Sequence, residues 1–216
     1  MSYLPRPGEA ASAARVVPMT RTIRGTRLPR AFYRRDPREV AVALLNKVLV
    51  GVDGRSGRIV ETEAYCGALD PAAHAYRGKT RRNVTMFGPP GKMYVYFTYG
   101  MHWCCNAVCG EVDEGVAVLL RALAPLSGVE VMRAARAKAR RDRDLCNGPA
   151  RLAQALGISG VHDGIDLVTG DGGFCIVDDG TPPPREPVVT RRVGITRAAD
   201  EPWRWYVAGD PNVSRP

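Results

Sequence analysis

One stretch of the chain, residues 58–65, alternates between polar and apolar positions with the period of a β-strand. Its β-branched residues favour an extended backbone, and successive side chains on a strand point to opposite faces. Two carboxylates and a phenol therefore share one face. The predicted faces are Ile59, Glu61, Glu63 and Tyr65 on one side, and Val60, Thr62 and Ala64 on the other.

A strand face with two carboxylates is stable where it meets water or lines a functional site. Strands often have one wet face, so this stretch alone leaves both interpretations open. The following segments favour a site, because they hold the motif Asp70-Pro-Ala-Ala-His74, a basic loop and an aromatic strand. These are parts that chemistry on a nucleic acid needs. Candidate phosphate contacts in the loop, which could also be simply solvated, are Arg77, Lys79, Arg81 and Arg82.

The rest of the chain predicts short strands with helices to one side. A helix begins at Asp36, which precedes Pro37 and Glu39 in the order of a capped N-terminus. Tyr99 is expected at the exposed tip of a hairpin, whereas Tyr94 and Phe97 fit a core. The other predicted elements are strands at 47–50, 92–98, 101–108, 115–121, 174–177, 191–196 and 205–207, helices at 128–143 and 152–156, and a loop at 66–90 with a short helix capped near Asp70. Without βαβ alternation, this order predicts an α+β domain with a curved antiparallel sheet and flanking helices.

The amino-acid composition gives the chain an excess of positive charge. The chain has 216 residues, a formal net charge of +9 and a sequence pI of about 9.6. This suits a nucleic-acid binder, although membranes and acidic partners also attract basic proteins. Residues 1–30 are rich in arginine and predict a disordered basic arm before a single domain over 31–216. A second basic stretch, residues 133–143, is either a solvated helix face or a contact for the DNA backbone.

Cysteine usage and hydropathy exclude several classes of protein. The six cysteines lack the spacings of zinc or iron–sulfur sites, so we expect reduced thiols and neither a metal nor a cofactor. No apolar run approaches the ~20 residues of a membrane helix, and the N-terminus has no apolar signal core. A monomer in the cytoplasm, next to the nucleoid in a bacterium and without a membrane partner, is the expectation.

Longer motifs occur in order along the chain. They are Ile59-Val-Glu-Thr-Glu-Ala-Tyr65, Asp70-Pro-Ala-Ala-His74, Arg82-Asn-Val-Thr-Met-Phe-Gly88, Pro90-Gly-Lys-Met-Tyr-Val-Tyr96, Tyr99-Gly-Met101, Asn106, Val118-Leu-Leu-Arg-Ala122, Gly148-Pro149, Gln154-Ala-Leu156 and Val213-Ser214. Together they resemble the alkyladenine (3-methyladenine) DNA glycosylase family, roughly from Phe32 to Ser214. The resemblance implies the same α+β fold. It also implies a DNA repair enzyme that flips alkylated or deaminated purines out of double-stranded DNA and hydrolyses the N-glycosidic bond, leaving an abasic site.

The resemblance also implies roles for individual residues. Glu63 would be the general base that activates water, a choice between Glu63 and Glu61 that the strand pattern alone cannot make. Arg121 would hold that water and the nearby phosphate, and Tyr99 would wedge into the DNA stack. Tyr65, His74 and Tyr96 would sandwich the flipped base, Asn106 would crowd the exocyclic amine of guanine, and Leu119 would line the pocket wall.

Two alternatives compete with a monofunctional glycosylase. An enzyme that is also an abasic-site lyase needs an amine nucleophile, and no lysine lies beside the carboxylate pair in the sequence. A catalytically silent DNA-binding module would suit the basic charge equally, but a carboxylate in a DNA groove repels phosphate. Asn46 stands where the family commonly has glycine, and Trp205 stands where phenylalanine is usual; both are interpreted as structural.

Overall fold

The computed structural model describes residues 25–215, and its centre is one curled antiparallel sheet of nine strands. Helices flank this sheet, so the predicted α+β class is confirmed. Most of the predicted basic arm, residues 1–24, lies outside the described residues. The strands are β1 (Thr26–Arg27), β2 (Val48–Gly51), β3 (Ser56–Cys66), β4 (Met93–Thr98), β5 (His102–Cys109), β6 (Val116–Ser127), β7 (Phe174–Asp178), β8 (Val188–Thr190) and β9 (Arg204–Tyr206).

The α-helices of the described residues are α1 (Arg30–Tyr33), α2 (Pro37–Leu44), α3 (Val129–Ala135) and α4 (Pro149–Leu156), and 3₁₀ turns cover Gly67–Leu69, Val84–Phe87, Asp142–Asp144 and Gly160–His162. Helix α2 begins as predicted, because the Asp36 side chain accepts a hydrogen bond from the Arg38 N–H (2.8 Å) and Pro37 is the first helical residue. In this part of the chain, no helix combines the length and the apolar character that crossing a membrane requires.

Strand β3 is the strand around which the sheet is built. The strand order is β1-β7-β2-β3-β6-β5-β4, and β9 pairs with both β3 and β8. One edge of β3 is paired with β6 along its whole length, whereas β2 and β9 share the other edge. Residues 61–63 are therefore paired on both sides. Side chains from β6 and β9 converge at this point of β3.

The two faces of the sheet bury different kinds of side chain. One face packs against α2 and α4 around a large apolar core that includes Leu44, Ala64, Val118 and Leu152. Residues that alternate with these core positions along the neighbouring strands point to the opposite face. That face carries charged and aromatic side chains, namely Glu63, Tyr65, Tyr94, Tyr96, Asn106 and Arg121. It is the face on which a site can form.

An irregularity in the pairing changes which residues of β3 share a face. The register between β3 and β6 shifts twice between Ile59 and Thr62. Ile59 consequently packs in the same core as Ala64, while Val60 packs with Val213 in a separate cluster. The prediction that Ile59 shares the carboxylate face, with Val60 opposite, is therefore wrong. A β-bulge interrupts the strict alternation on which that prediction depends.

Strand β6 is longer than predicted. It continues to Ser127, so Arg121 lies in the middle of the strand rather than at its end. Pro125 is tolerated because the pairing with β3 is irregular next to it. At such a position the missing N–H of proline removes no regular hydrogen bond between the strands. The strand predicted over 191–196 is also wrong, because the described backbone there is irregular and β8 ends just before it.

Two helix predictions need correction. The helix predicted over 128–143 is limited to α3. Arg133 holds the segment folded back on itself through a bidentate contact with Asp142, at 2.8 and 2.7 Å. The short helix predicted near Asp70 is the 3₁₀ turn Gly67–Leu69, which Asp70 caps at its C-terminal end, and further turns follow.

Asn46 has a left-handed backbone conformation, which explains why glycine suits this position. Its φ is 68°, a region that glycine and asparagine tolerate best. Its side chain also donates a hydrogen bond to Pro182 O (2.8 Å). We expect Asn46→Ala to lower the free energy of unfolding by about 1–2 kcal/mol, measured by urea denaturation, and Asn46→Gly to lower it less. Equal losses in both variants would show that the hydrogen bond dominates.

Candidate active site

A row of four residues crosses the site face of the sheet. Glu63 of β3 pairs with Leu119 of β6, Leu119 pairs with Asn106 of β5, and Asn106 pairs with Tyr94 of β4. The register of four neighbouring strands thus brings together three predicted site residues that are far apart in the sequence. Pairing can do this because every second residue of a strand faces the same side.

Most of the predicted site residues surround one cleft, whose volume is about 300 Å³. This is the lower end of the range of about 300–1,000 Å³ for small-molecule pockets. Residues 193–195 and Tyr94, which were not predicted as site residues, also line it. The predicted residues that line it are Tyr65, His74, Tyr96, Tyr99, Asn106, Leu119 and Arg121.

The carboxylate of Glu63 is fully buried directly behind the lining of the cleft. Tyr65 Oη donates a hydrogen bond to Oε2 (3.0 Å), and the backbone N–H of Val193 donates to Oε1 (2.7 Å). Arg121 Nη1 lies 3.1 Å from Oε1. Burial raises the pKa of Glu63, although these partners act to lower it. Such a carboxylate is a stronger proton acceptor than a solvated one.

Glu61 meets a different environment on the same strand. Arg121 Nε (2.9 Å) and Arg204 Nε (2.7 Å) both donate to its Oε1, and the Ser214 N–H donates to its Oε2 (2.7 Å). Burial acts to raise the pKa of Glu61, but Arg121, Ser214 and Arg204 together hold it below its usual value. Glu61 is therefore a well-satisfied anion that anchors the C-terminal segment. Arg121 contacts both carboxylates.

Two tyrosines and a histidine form an aromatic wall of the cleft. The rings of Tyr94 and Tyr96 stack with their centroids 5.5 Å apart, and His74 meets Tyr96 edge-on at 4.5 Å. His74 Nδ1 lies 3.0 Å from Tyr94 Oη, which orients the imidazole. Burial and then Arg82 lower the pKa of His74, so the ring is neutral at neutral pH. Tyr94 thus belongs to the site rather than only to the core.

The loop that carries His74 is organised by one buried side chain, that of Asn83. Its Nδ2 donates hydrogen bonds to His74 O (2.9 Å) and Gly78 O (3.0 Å), and its Oδ1 accepts one from the Thr80 N–H (2.6 Å). A loop without periodic hydrophobic contacts gains its order from such bonds to the backbone. Only the position of Asn83 within a family motif signals this in the sequence.

The basic residues of the same loop are all exposed. Lys79 Nζ lies 3.2 Å from Asp113 Oδ1, and Arg82 donates a hydrogen bond to Phe97 O (2.9 Å). Because Arg82 lines a hollow together with Tyr96 and Tyr99, which also line the cleft, this end of the loop lies beside the cleft. The four basic residues are Arg77, Lys79, Arg81 and Arg82.

The cysteines are consistent with the expected reduced thiols, because all six are free. Five are buried and Cys175 is partly buried. Between residues 25 and 215, no group of three or more His, Cys, Asp and Glu side chains is arranged to hold a metal ion.

Comparison with known proteins identifies the family. Residues 31–211 match the family model described as Methylpurine-DNA glycosylase. The chain belongs to the methylpurine-DNA glycosylase family. It is a DNA glycosylase, a hydrolase of N-glycosyl bonds that acts in DNA repair.

Relatives of this glycosylase occur in several bacteria. A Burkholderia cenocepacia protein named "Putative 3-methyladenine DNA glycosylase" is 64% identical over 190 residues, which cover 88% of this chain and 92% of that protein. A Koribacter versatilis protein of the same name is 50% identical over 194 residues, covering 87% of this chain and 92% of the relative. A third, from Streptomyces avermitilis, is 46% identical over 194 residues, covering 88% and 91%.

Tyr99 of the glycosylase lies at the tip of the β4–β5 hairpin, as predicted. It is 80% exposed and has a φ of 52°. Phe97, which was expected in the core, is also exposed and packs against Trp103 with ring centroids 4.7 Å apart. The hairpin therefore presents aromatic surface to solvent beside the cleft.

Three of the six basic residues in the stretch 133–143 make local contacts. Arg133 pairs with Asp142 at 2.7 Å, and Arg141 pairs with Asp144 at 3.0 Å. Arg136 donates a hydrogen bond to Gln154 Oε1 (3.0 Å). A phosphate would have to displace a carboxylate to bind Arg133 or Arg141, so these two residues are less suited than the others to a contact with the DNA backbone.

Proposed function

We propose that this DNA glycosylase excises 3-methyladenine and related alkylated or deaminated purines from double-stranded DNA by simple hydrolysis. The observation that carries the proposal is the buried Glu63 carboxylate, joined to Arg121 directly behind an aromatic cleft. Relatives up to 64% identical carry 3-methyladenine DNA glycosylase in their names. A DNA substrate fits the proposed cytoplasmic location, and we propose that the protein acts as a monomer.

Glu63 is assigned the role of general base. Hydrolysis of the N-glycosidic bond passes through a transition state with positive charge on the sugar. A water molecule beside Glu63 would give its proton to the carboxylate while its oxygen bonds to the sugar carbon, and the base would leave with the bonding electrons. The negative carboxylate would stabilise the developing cation at the same time. Arg121 would orient Glu63 and hold the water and a nearby phosphate.

The cleft is assigned to the flipped base. Bases that undergo chemistry leave the stack and are held between aromatic surfaces. Tyr65 would form one side of the sandwich, and His74 with Tyr96 the other. Electron-rich rings favour cationic purines such as 3-methyladenine. Asn106 and Leu119 both line the cleft. Asn106 would reject guanine by crowding its exocyclic amine, and Leu119 would form part of the pocket wall.

A purely hydrolytic reaction is supported by the position of the lysines. Lys47, Lys79, Lys92 and Lys138 are the lysines of the chain, and none of them lines the cleft. A lyase step needs an amine that attacks the sugar. We therefore assign a monofunctional reaction, and the absence of borohydride-trapped protein on lesion DNA is the expected result.

Excision from defined duplexes tests the proposal. Duplex DNA with one hypoxanthine or one alkylated adenine is incubated with the full chain, and abasic sites are revealed as alkali-induced strand breaks. We expect breaks only at the lesion. Tight lesion binding without base release would instead support a silent DNA-binding module, and trapping by borohydride would refute the hydrolytic assignment.

Tyr99 is assigned the role of the wedge that fills the vacated stack. We expect Tyr99→Ala to weaken binding to lesion-containing duplex by about 5- to 150-fold, because base–aromatic stacking contributes about 1–3 kcal/mol. Tyr99→Phe, which keeps the ring, is the matched control. Dissociation constants at fixed salt concentration measure the effect. Equal affinity in Tyr99→Ala and the original chain would contradict the role.

The exposed loop cations are assigned to the DNA backbone. Arg77, Lys79, Arg81 and Arg82 would contact phosphates beside the lesion, and Arg82 is bonded to Phe97 O of the hairpin beside the cleft. Phosphate contacts of this kind position the protein without reading sequence. Their neutralisation would weaken binding to damaged and undamaged duplex alike and reduce the dependence of affinity on salt.

A further inference from the structure

A buried ion pair lies next to the cleft, outside the cluster of Glu61, Glu63 and Arg121. Arg192 Nη1 is 2.5 Å from Asp70 Oδ2, and Arg192 Nη2 is 2.9 Å from Asp70 Oδ1. Both side chains are 0% exposed. A buried pair contributes little net stability, because desolvation offsets the attraction. Its full burial therefore calls for an explanation other than stability.

Arg192 touches the aromatic ring that is assigned to the base sandwich. Its guanidinium carbon lies 4.8 Å from the centroid of the Tyr65 ring and 5.0 Å from that of Trp203. A guanidinium over a ring covers one face of it, which leaves the other face of Tyr65 for the cleft. The position of this ring is thus fixed from behind by Arg192.

Arg192 also fixes the backbone next to Glu63. It donates a hydrogen bond to Ala64 O (3.0 Å), between Glu63 and Tyr65 on β3. The next residue, Val193, donates its N–H to Glu63 Oε1 (2.7 Å). The segment 191–203 is not paired as a strand, so the Arg192 side chain holds this segment to β3 where backbone hydrogen bonds would do so in a paired strand.

Asp70 extends the same network to the other wall of the cleft. Its carboxylate accepts hydrogen bonds from the N–H groups of Ala72 (3.0 Å) and Cys66 (3.3 Å). These residues join the end of β3 to the loop that carries His74. One ion pair therefore connects the Tyr65 ring, the His74 loop and the backbone donor to Glu63.

We infer that Arg192 is a positioning residue for base excision, and that its pairing with Asp70 sets both the Tyr65 ring and the Val193 N–H. This inference rests on the proposed role of Glu63. Without the pair, segment 192–195 would move away from β3, Glu63 would lose a hydrogen bond, and the base would lose a rigid wall. Loss of the pair would therefore slow the chemical step and also weaken binding of the flipped base.

The test removes both partners together, as Asp70→Asn with Arg192→Met, because removing one would leave a buried unpaired charge. Rates are measured under single-turnover conditions at saturating lesion DNA, per folded molecule, as a function of pH. We expect a loss of about tenfold at neutral pH and a shift of the acidic limb of the rate profile upward by about one pH unit, since Glu63 loses a positive neighbour and a donor.

Several charged and titratable groups face Glu63 and set the pH at which it titrates. They are Glu61 and Tyr65 from β3, Arg121 from β6, Tyr96 and Cys104 from the β4–β5 hairpin, and Arg192. In the double variant only Arg192 is lost from this set. A shift of the acidic limb therefore reports on Arg192 and the segment that it holds.

The matched control is a second bidentate pair at the other end of β3, removed as Arg58→Met with Asp179→Asn. Arg58 contacts Asp179 at 2.7 and 3.3 Å, far from the cleft lining. We expect this control to keep the pH profile. An unshifted acidic limb in the Asp70/Arg192 variant would overturn the inference. If the original chain shows no excision, the proposed function itself fails. If Glu63→Gln excises normally, the role of Glu63 on which this inference rests fails.

Discussion

Replacing Glu63 with glutamine is expected to slow base excision by about 10³-fold, because a positioned general base contributes about 10²–10⁴-fold. Glutamine keeps the size of the side chain and can still accept the Val193 N–H, but it cannot take a proton from water. Single-turnover release of hypoxanthine or alkylated adenine from duplex DNA measures the loss. Binding to lesion DNA is expected to persist, since the change removes a negative charge behind the cleft.

The pH dependence of the original chain provides a further check on Glu63. Burial raises the pKa of this carboxyl, and a general base works only when deprotonated. The excision rate should therefore fall as the pH drops through a value above that of ordinary glutamate, which is about 4.3. Glu63→Gln should abolish this acidic limb in the residual rate. Near-normal excision by Glu63→Gln would refute its role, and a joint loss of binding and folding would point to a structural one.

Replacing Glu61 with glutamine should instead lower the stability of the fold and leave most of the excision activity. The side chain holds Arg121 and Arg204 in the buried interior and accepts the Ser214 N–H. Glutamine would leave two buried arginines short of negative charge, which costs about 3–5 kcal/mol. The free energy of unfolding, measured by urea denaturation, should fall by about that amount. The excision rate per folded molecule should stay within about tenfold of the original chain.

Glu63→Gln is the matched control for this stability effect. The fold disfavours the charged form of Glu63 and favours the charged form of Glu61, as the opposite directions of their pKa changes indicate. A neutral side chain at position 63 should therefore change the free energy of unfolding by less than about 1 kcal/mol. If Glu61→Gln removed activity without loss of stability, the division of roles between the two carboxylates would be wrong.

The contrast between these carboxylates shows how one strand can carry two functions. Glu61 and Glu63 share Arg121 and both are fully buried. Their difference comes from the remaining neighbours, since Glu61 gains Arg204 and Ser214 while Glu63 faces the lining of the cleft. Glu61 is thus a structural anion and Glu63 a candidate base because their environments differ, although both are glutamates. Sites with paired carboxylates commonly divide the roles in this way.

Local patterns in the sequence were enough to predict several structural elements. The capped start of α2 at Asp36, the hairpin with Tyr99 at its tip, and the polar face of β3 all depend on residues within a few positions of each other. Such features follow from side-chain alternation and backbone preference. The α+β class follows from the order of these elements.

Other features depend on parts of the chain that meet only in the folded protein. The bulge in β3 results from pairing with β6 and moved Ile59 to the other face. The backbone donor to Glu63 comes from Val193, 130 residues away. No local pattern indicates these contacts.

The sequence by itself thus determined which residue types line one face of β3, and the family resemblance selected Glu63 over Glu61. Only the tertiary structure decided what surrounds each carboxylate, and with it the direction of each pKa change. The physical reason is that alternation is a property of neighbouring residues, whereas burial and charge pairing depend on segments that pack together from distant parts of the chain. Arg192 and Arg204 illustrate this, since their partners Asp70 and Glu61 lie more than 100 residues earlier.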